Sequence, residues 1–222
     1  GATEEVCMTK GLILRNVCIL RDGSPLIEVD STIQPGEVLT VMGPSGVGKS
    51  TLLAYITGTL PAVFKGMGEV LLDGIDVTGL PAHKRHIGIL FQDDLLFPHM
   101  SVGANLAFGM EKGGKKAERL TAIEDALAEV GLGGYSDRDP ATLSGGQRAR
   151  VALVRMLLSN PNALLLDEAF SRLDAELRVQ VRELVFGVAK KRGLPVLMVT
   201  HDAEDAQAAG GEIIELQSLS KG

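Results

Sequence analysis

The stretch VLTVMGPSGVGKSTLLAYITG, residues 38–58, decides the fold. Its first four residues form an apolar, strand-sized run, and a glycine-rich turn follows at 43–48. Residues 49–57 then have helical character and stop at Gly58. This is a strand, a loop and a helix in direct succession. Gly43, Gly46 and Gly48 let the backbone take conformations closed to other residues, so that successive N–H groups can converge on an anion at the positive end of the helix. Lys49 adds a point charge for the β and γ phosphates of a nucleotide. The Ser50 hydroxyl suits Mg2+, and Thr51 enters the first helical turn. Ser45 and Val47 complete the loop and are counted with it as nucleotide-binding positions.

Outward from this unit, alternating apolar residues over 12–17, 26–33 and 69–77, the last broken by Asp73-Gly74, predict short antiparallel strands with a hairpin turn. Between Gln92 and Leu143 the pattern becomes helical. Leu120, Ile123, Leu127 and Val130 recur at three- and four-residue steps, bounded by Gly113-Gly114 and Gly133-Gly134, which predicts a helical subdomain inserted over about 93–143. Residues 163–166 and 195–199 read as buried strands. A helix with a core face of Leu177, Val181, Leu184 and Val188 separates them. Strands alternating with helices predict an α/β fold of the P-loop NTPase type: a mainly parallel core sheet, an antiparallel β subdomain and the helical insertion. The boundaries are an N-terminal tail at 1–10 and one domain over 11–222.

Three further segments carry chemistry. In LLLDE, residues 164–168, Asp167 ends an apolar strand, at the sheet edge where parallel strands present their carboxyl ends to ligands, and so is a candidate for Mg2+. Glu168 beside it is the candidate general base for an attacking water. His201 closes the last strand, before Asp202, and could contact a γ-phosphate. In LSGGQ, residues 143–147, Ser144 and Gln147 have capping-box spacing for a helix that buries Val151, Val154 and Leu158. That spacing leaves Gly145 and Gly146 unexplained. Without side chains, they leave the helix tip bare enough to receive a phosphate.

With 222 residues, 45% of them hydrophobic, the chain can bury a full core. Its longest apolar runs are strand-sized, far short of the roughly 20 residues that span a bilayer. A net charge of −6 without a dense basic tract argues against nucleic acid as a partner. Cys7 and Cys18 lack metal-ligand spacing, and residues 1–7, before Met8, lack the apolar core of a signal peptide.

With these motifs in this order, the chain resembles the ATP-binding-cassette family over residues 12–216. The resemblance implies a Mg2+-dependent ATPase that forms an ATP-dependent, head-to-tail homodimer. Ser144, Gly145, Gly146 and Gln147 would complete the partner's site, so that two ATPs lie at the interface. It also implies that Gln92 senses Mg2+ and water, and that the segment from Ser171 to Asp174 communicates across the dimer. The stretch ILFQDDLLFPHMSVGANLAFG, residues 89–109, is similar to importer-type members, in which it receives a coupling helix of the permease. Leu95, Leu96, Phe97 and Pro98 would line that groove. Integral membrane permease subunits, indirectly a substrate-binding protein, and a place on the cytoplasmic face of the inner membrane are therefore expected. An exporter or lipoprotein-release ATPase is the alternative, and a soluble non-transport member ranks below both. Three positions depart from the family pattern. Arg21 stands where an aromatic usually stacks on adenine and is the candidate to stack its guanidinium plane instead, leaving adenine-versus-guanine selectivity open. Ala169 replaces a proline, and Arg172 replaces a small residue.

Overall fold

The computed structural model describes residues 10–44, 48–92 and 96–216. Two sheets make its frame. The first is antiparallel, in the order β2-β1-β4-β5, from β1 (Leu12–Arg21), β2 (Ser24–Ile33), β4 (Phe64–Leu72) and β5 (Ile75–Asp76). The second is parallel, in the order β6-β7-β8-β3-β9, from β3 (Val38–Met42), β6 (Ile87–Phe91), β7 (Ala163–Asp167), β8 (Val196–Thr200) and β9 (Ile213–Glu215). β8 is therefore not the last strand, since β9 follows it and pairs with β3.

The expected Asp73-Gly74 turn joins β4 to β5 with both residues at positive φ, 51° and 80°, the backbone of a type I′ hairpin. A second such turn, Asp22-Gly23 at 50° and 77°, joins β1 to β2. β1 also runs four residues beyond the expected 12–17. The reason is a bulge: Asn16 sits at φ 51° and the pairing register shifts between Leu14 and Val17. Leu12 and Leu14 point inward before it, Val17 and Ile19 after it, so the two-residue alternation changes phase in mid-strand.

The parallel strands are apolar on both faces. Leu39, Val41, Ala163, Leu165, Leu197 and Val199 pack with the antiparallel sheet and helix α1 (Lys49–Thr57). Leu164, Leu166, Val196 and Met198 pack on the other side, in one cluster with residues of α4 (Gly145–Leu157) and α5 (Ala175–Arg192). Double-sided burial explains why these strands read as continuous apolar runs.

α1 begins and ends where the sequence predicts, with Gly58 at φ 81° as its left-handed cap. Arg85, only 6% exposed, holds that end by donating to the carbonyls of Tyr55 and Ile56 at 3.0 Å, and to those of Leu80 and Thr78 at 2.7 Å. Two carbonyls of the last turn, those of Tyr55 and Ile56, thus meet a charged donor.

Between β6 and β7 the chain forms α2 (Val102–Phe108), α3 (Lys116–Glu129) and then α4. Ile123, Leu127 and Val130 are buried as predicted, but Leu120 is 50% exposed, so the apolar face of α3 begins one turn later than its spacing suggests. The short helix α6 (Ala203–Ala209) follows β8 and is fixed by a buried Arg182–Asp205 ion pair of 2.8 Å. Among the described residues no helix is long and apolar enough to cross a membrane.

Candidate nucleotide site

β3, β8 and β7 are adjacent and parallel, with Met42 opposite Thr200 and Asp167 opposite Val199. Their carboxyl ends form one edge. The residues that follow them, Gly43, His201 and Glu168, are therefore brought together by strand order alone, at the edge where open α/β sheets bind ligands.

Of the expected phosphate loop, Ser45, Gly46 and Val47 lie outside the described residues. Gly48 precedes α1 at φ 95°, and a Cβ there would stand 3.3 Å from Leu26, Ile27 and the Thr51 hydroxyl. Both the dihedral and the space favour glycine. The Thr51 hydroxyl donates to the Gly48 carbonyl at 2.6 Å. Ser50 is exposed at the helix start. The Lys49 side chain is 7% exposed, and its ammonium donates to the Gly43 carbonyl and, at 3.2 Å, to Glu168 Oε1. A cation this buried requires such partners.

Glu168 sits at φ 51°, outside the range that side chains prefer, held by its amide donating to the Val199 carbonyl at 3.1 Å. Its carboxylate oxygens lie 3.0 and 2.9 Å from His201 Nδ1. Lys49, Glu168 and His201 thus form a continuous chain of contacts. Burial pushes the Asp167 carboxyl above its ordinary pKa, the neighbouring charge of Glu168 adds to this, and Lys49 opposes it. Such a carboxylate gains from an incoming cation more than a solvated one would.

The Ser171 hydroxyl donates to Gln92 Oε1 and lies 3.0 Å from the Glu168 carbonyl, which brings Gln92 and Ser171 beside the same turn. Asp174 caps α5, accepting from the Leu177 amide at 2.9 Å. The Ser144–Gln147 pair forms the expected capping box: the Ser144 amide donates to Gln147 Oε1 at 2.9 Å, and the Gln147 amide to Ser144 Oγ at 3.2 Å. A Cβ on Gly146 would lie 2.6 Å from Leu177 Cδ1, so a larger residue there would require the Leu177 side chain on α5 to shift.

A pocket of about 360 Å³ unites Arg21, Leu26, Gly48, Lys49, Ser50, Thr51, Phe64, Asp167 and Glu168. Residues 144–147 are not part of its lining. Leu26 and Phe64 escaped sequence reasoning because neither sits in a motif; the signal that finds Phe64 is strand register, which sets it opposite Arg21. Arg178 escaped too. It donates to the carbonyls of Phe170 and Ser171 at 3.0 and 3.1 Å and pairs with Asp202 at 2.5 Å, tying the turn after Glu168 to the residue after His201.

A glycine-rich loop and buried lysine at a helix start, with an aspartate and glutamate at a neighbouring strand end, define a P-loop nucleotide triphosphatase. Residues 26–171 match the ABC transporter family. The chain is 48% identical over 198 residues to the uncharacterized ABC transporter ATP-binding protein YnjD of Escherichia coli K12, covering 89% of this chain and 91% of that one. It is 43% identical over 191 residues to the Fe(3+) ions import ATP-binding protein FbpC of Agrobacterium fabrum, and 40% over 205 residues to FbpC 1 of Haemophilus influenzae. These alignments cover 86% and 91% of this chain but only 53% and 62% of the two relatives. The chain belongs to the ABC transporter ATP-binding family and is an ATPase of that class.

Proposed function

We propose that this chain is the energy-coupling subunit of a membrane importer, in which ATP binding closes two copies and hydrolysis reopens them. The observation that carries the reading is the half-built site. Lys49, Ser50, Asp167 and Glu168 line one pocket, while the glycine-tipped α4 lies outside that lining and is free to serve a second copy. The loop around 43–51 holds the triphosphate, with Lys49 on the β and γ phosphates. Glu168 takes the proton of the attacking water, and His201, already beside it, holds its carboxylate in place. Ser50 and Asp167, with Gln92 nearby, would hold Mg2+, which would offset charge on the phosphates. This fits the Asp167 carboxyl being held above its ordinary pKa. In the dimer, Ser144, Gly145, Gly146 and Gln147 of one copy face the γ-phosphate held by the other, and Ser171 and Asp174 lie on the connecting segment.

Import, rather than another use of the same engine, is supported by the iron-import relatives and by the surface over 89–109. Phe91, Phe97 and Phe108 are 51%, 42% and 70% exposed, and Phe97 and Phe108 meet edge to face at 5.1 Å. Pro98 is exposed beside them, Leu96 packs partly into the core, and Leu95 lies outside the described residues. This apolar surface would receive the permease and thereby hold the subunit at the inner face of the membrane. The test is affinity capture of the full chain from detergent-solubilised membranes of its own host. An integral membrane subunit recovered in stoichiometric amount supports the reading, whereas a chain recovered only from the soluble fraction, with no membrane protein, contradicts it.

A further inference from the structure

The His201 side chain is 60% exposed, so packing does not hold the ring, yet Nδ1 lies 3.0 and 2.9 Å from the two carboxylate oxygens of Glu168. Its place is set by the backbone on either side. Thr200 ends β8 and is buried; its hydroxyl accepts from the Asp202 amide at 3.1 Å and donates to Asp205 Oδ2 at 3.5 Å. Asp202 Oδ1 in turn accepts from the Asp205 amide at 3.2 Å. Both neighbours of His201 are therefore tied to Asp205. That residue is buried on α6, and its Oδ1 accepts from Nη1 of the buried Arg182 at 2.8 Å. Arg182 lies on α5 one turn beyond Arg178, on the same face, so the helix holds the turn at Asp202 with one guanidinium and at Asp205 with the next.

We propose that Thr200, Asp205 and Arg182 are positioning residues for His201, holding the turn from β8 to α6 so that the imidazole meets Glu168 during hydrolysis. This rests on the role given above to Glu168 and His201 and extends it to three buried groups, none of which lines the nucleotide pocket. Exchanging a buried ion pair for apolar side chains of similar volume is often neutral or stabilising, and here the Arg182 Nε is also buried without a partner among the described residues. What the pair contributes is direction. A carboxylate whose two oxygens face two different partners fixes how the chain leaves β8, and a displacement of about 1 Å at a catalytic group can cost on the order of 10²-fold in rate.

The test is steady-state ATP hydrolysis by the full chain with Mg2+, in a cycle of His201→Ala, Thr200→Val and the double variant. Thr200→Val keeps the branched shape and removes the hydroxyl. It should lower kcat about tenfold with KM for ATP unchanged, and Thr200→Ser, which restores the hydroxyl, should recover most of the loss. In the His201→Ala chain, Thr200→Val should change kcat less than about twofold, because the group it positions is already gone. Equal losses in both backgrounds, or a rise in KM with kcat unchanged, would mean a structural role and overturn the inference. Arg182→Leu combined with Asp205→Leu removes the pair without stranding a charge and should lower kcat likewise; full activity in that folded variant overturns the inference, and Thr200→Val keeps the test decisive if it does not fold. His201→Ala with unchanged kcat would overturn the role of His201 itself, an outcome distinct from a loss at His201 that Thr200→Val fails to reproduce.

Discussion

Arg178→Ala should loosen two loops at once. The guanidinium donates to the Phe170 and Ser171 carbonyls, five and four residues before α5 begins at Ala175, and pairs with Asp202 at 2.5 Å, with 18% and 25% of the two side chains exposed. Stripping one partner from a buried pair costs about 3–5 kcal/mol when the other charge is left bare. Asp202 is not left bare, since its Oδ1 still accepts from the amides of Glu204 and Asp205 at 2.8 and 3.2 Å. Two part-buried backbone carbonyls also lose a donor. The net loss should therefore be about 2–3 kcal/mol, or about 5–10 °C in Tm for a chain of this size. The pH dependence follows from Asp202. Burial alone would raise its pKa, but the amides of Asp205 and Glu204, and then Arg178, outweigh it and hold it below the ordinary value. A carboxylate depressed in the folded state contributes stability above its unfolded pKa and loses it as pH falls through the folded one. The penalty of Arg178→Ala should thus be flat from pH 8 to 5. Thermal melts of wild type, Arg178→Ala, Asp202→Ala and the double variant give the coupling energy. A value of about 0.3 kcal/mol or less, as for a solvated surface pair, would refute the clamp. Because the tied residues follow Glu168 and His201, kcat should fall more than KM for ATP rises; a change confined to KM would also count against it.

Glu168→Gln keeps the shape of the proposed base but removes its proton-accepting charge, so turnover should drop by about 10²–10⁴-fold while ATP still binds. On a sizing column with ATP and Mg2+ it should run as a dimer, and a monomer under those conditions would contradict the shared site. For Asp167→Asn the sign is opposite to that of Asp202. Its folded pKa is raised by burial first and by Glu168 second, so its favourable contribution exists below the unfolded pKa and is lost as pH rises through the folded one. At pH 7 the wild type therefore carries a penalty that the amide removes. The variant should melt higher at pH 7, with the gain fading toward pH 4, and should lose Mg2+-dependent turnover. A lower Tm at pH 7 would refute the assignment.

The parts of the site that depend on local rules were legible in the sequence. α1 starts at Lys49 and stops at Gly58 because glycine at either end takes a left-handed backbone that few other residues tolerate. The capping box at Ser144 and Gln147 is a four-residue pattern whose hydrogen bonds all close within one turn. Asp167 could be placed because β7 is buried on both faces, and the first charged residue after such a run marks the strand's exit at the sheet edge. None of these inferences requires knowing which strand lies beside which.

Positions fixed by pairing across the chain were not legible. Phe64 is 43 residues from Arg21, and their contact depends on the β1–β4 register, in which the bulge at Asn16 shifts the phase by one. Counting two-residue alternation through that bulge places every later side chain of β1 on the wrong face, which is why the strand seemed to end at 17. Arg178 illustrates the same limit for charges. On α5 it reads as one of several arginines and lysines on a helix, and the helical period gives no reason to single it out. Its role arises because β7 and β8 are neighbours, so that the loops leaving them converge on the start of α5. A motif therefore identifies the groups at the start of α1 and the end of β7, whereas the pairing of Arg21 with Phe64 and the bracing of the loops by Arg178 are set by sheet order and register, which no short window of sequence contains.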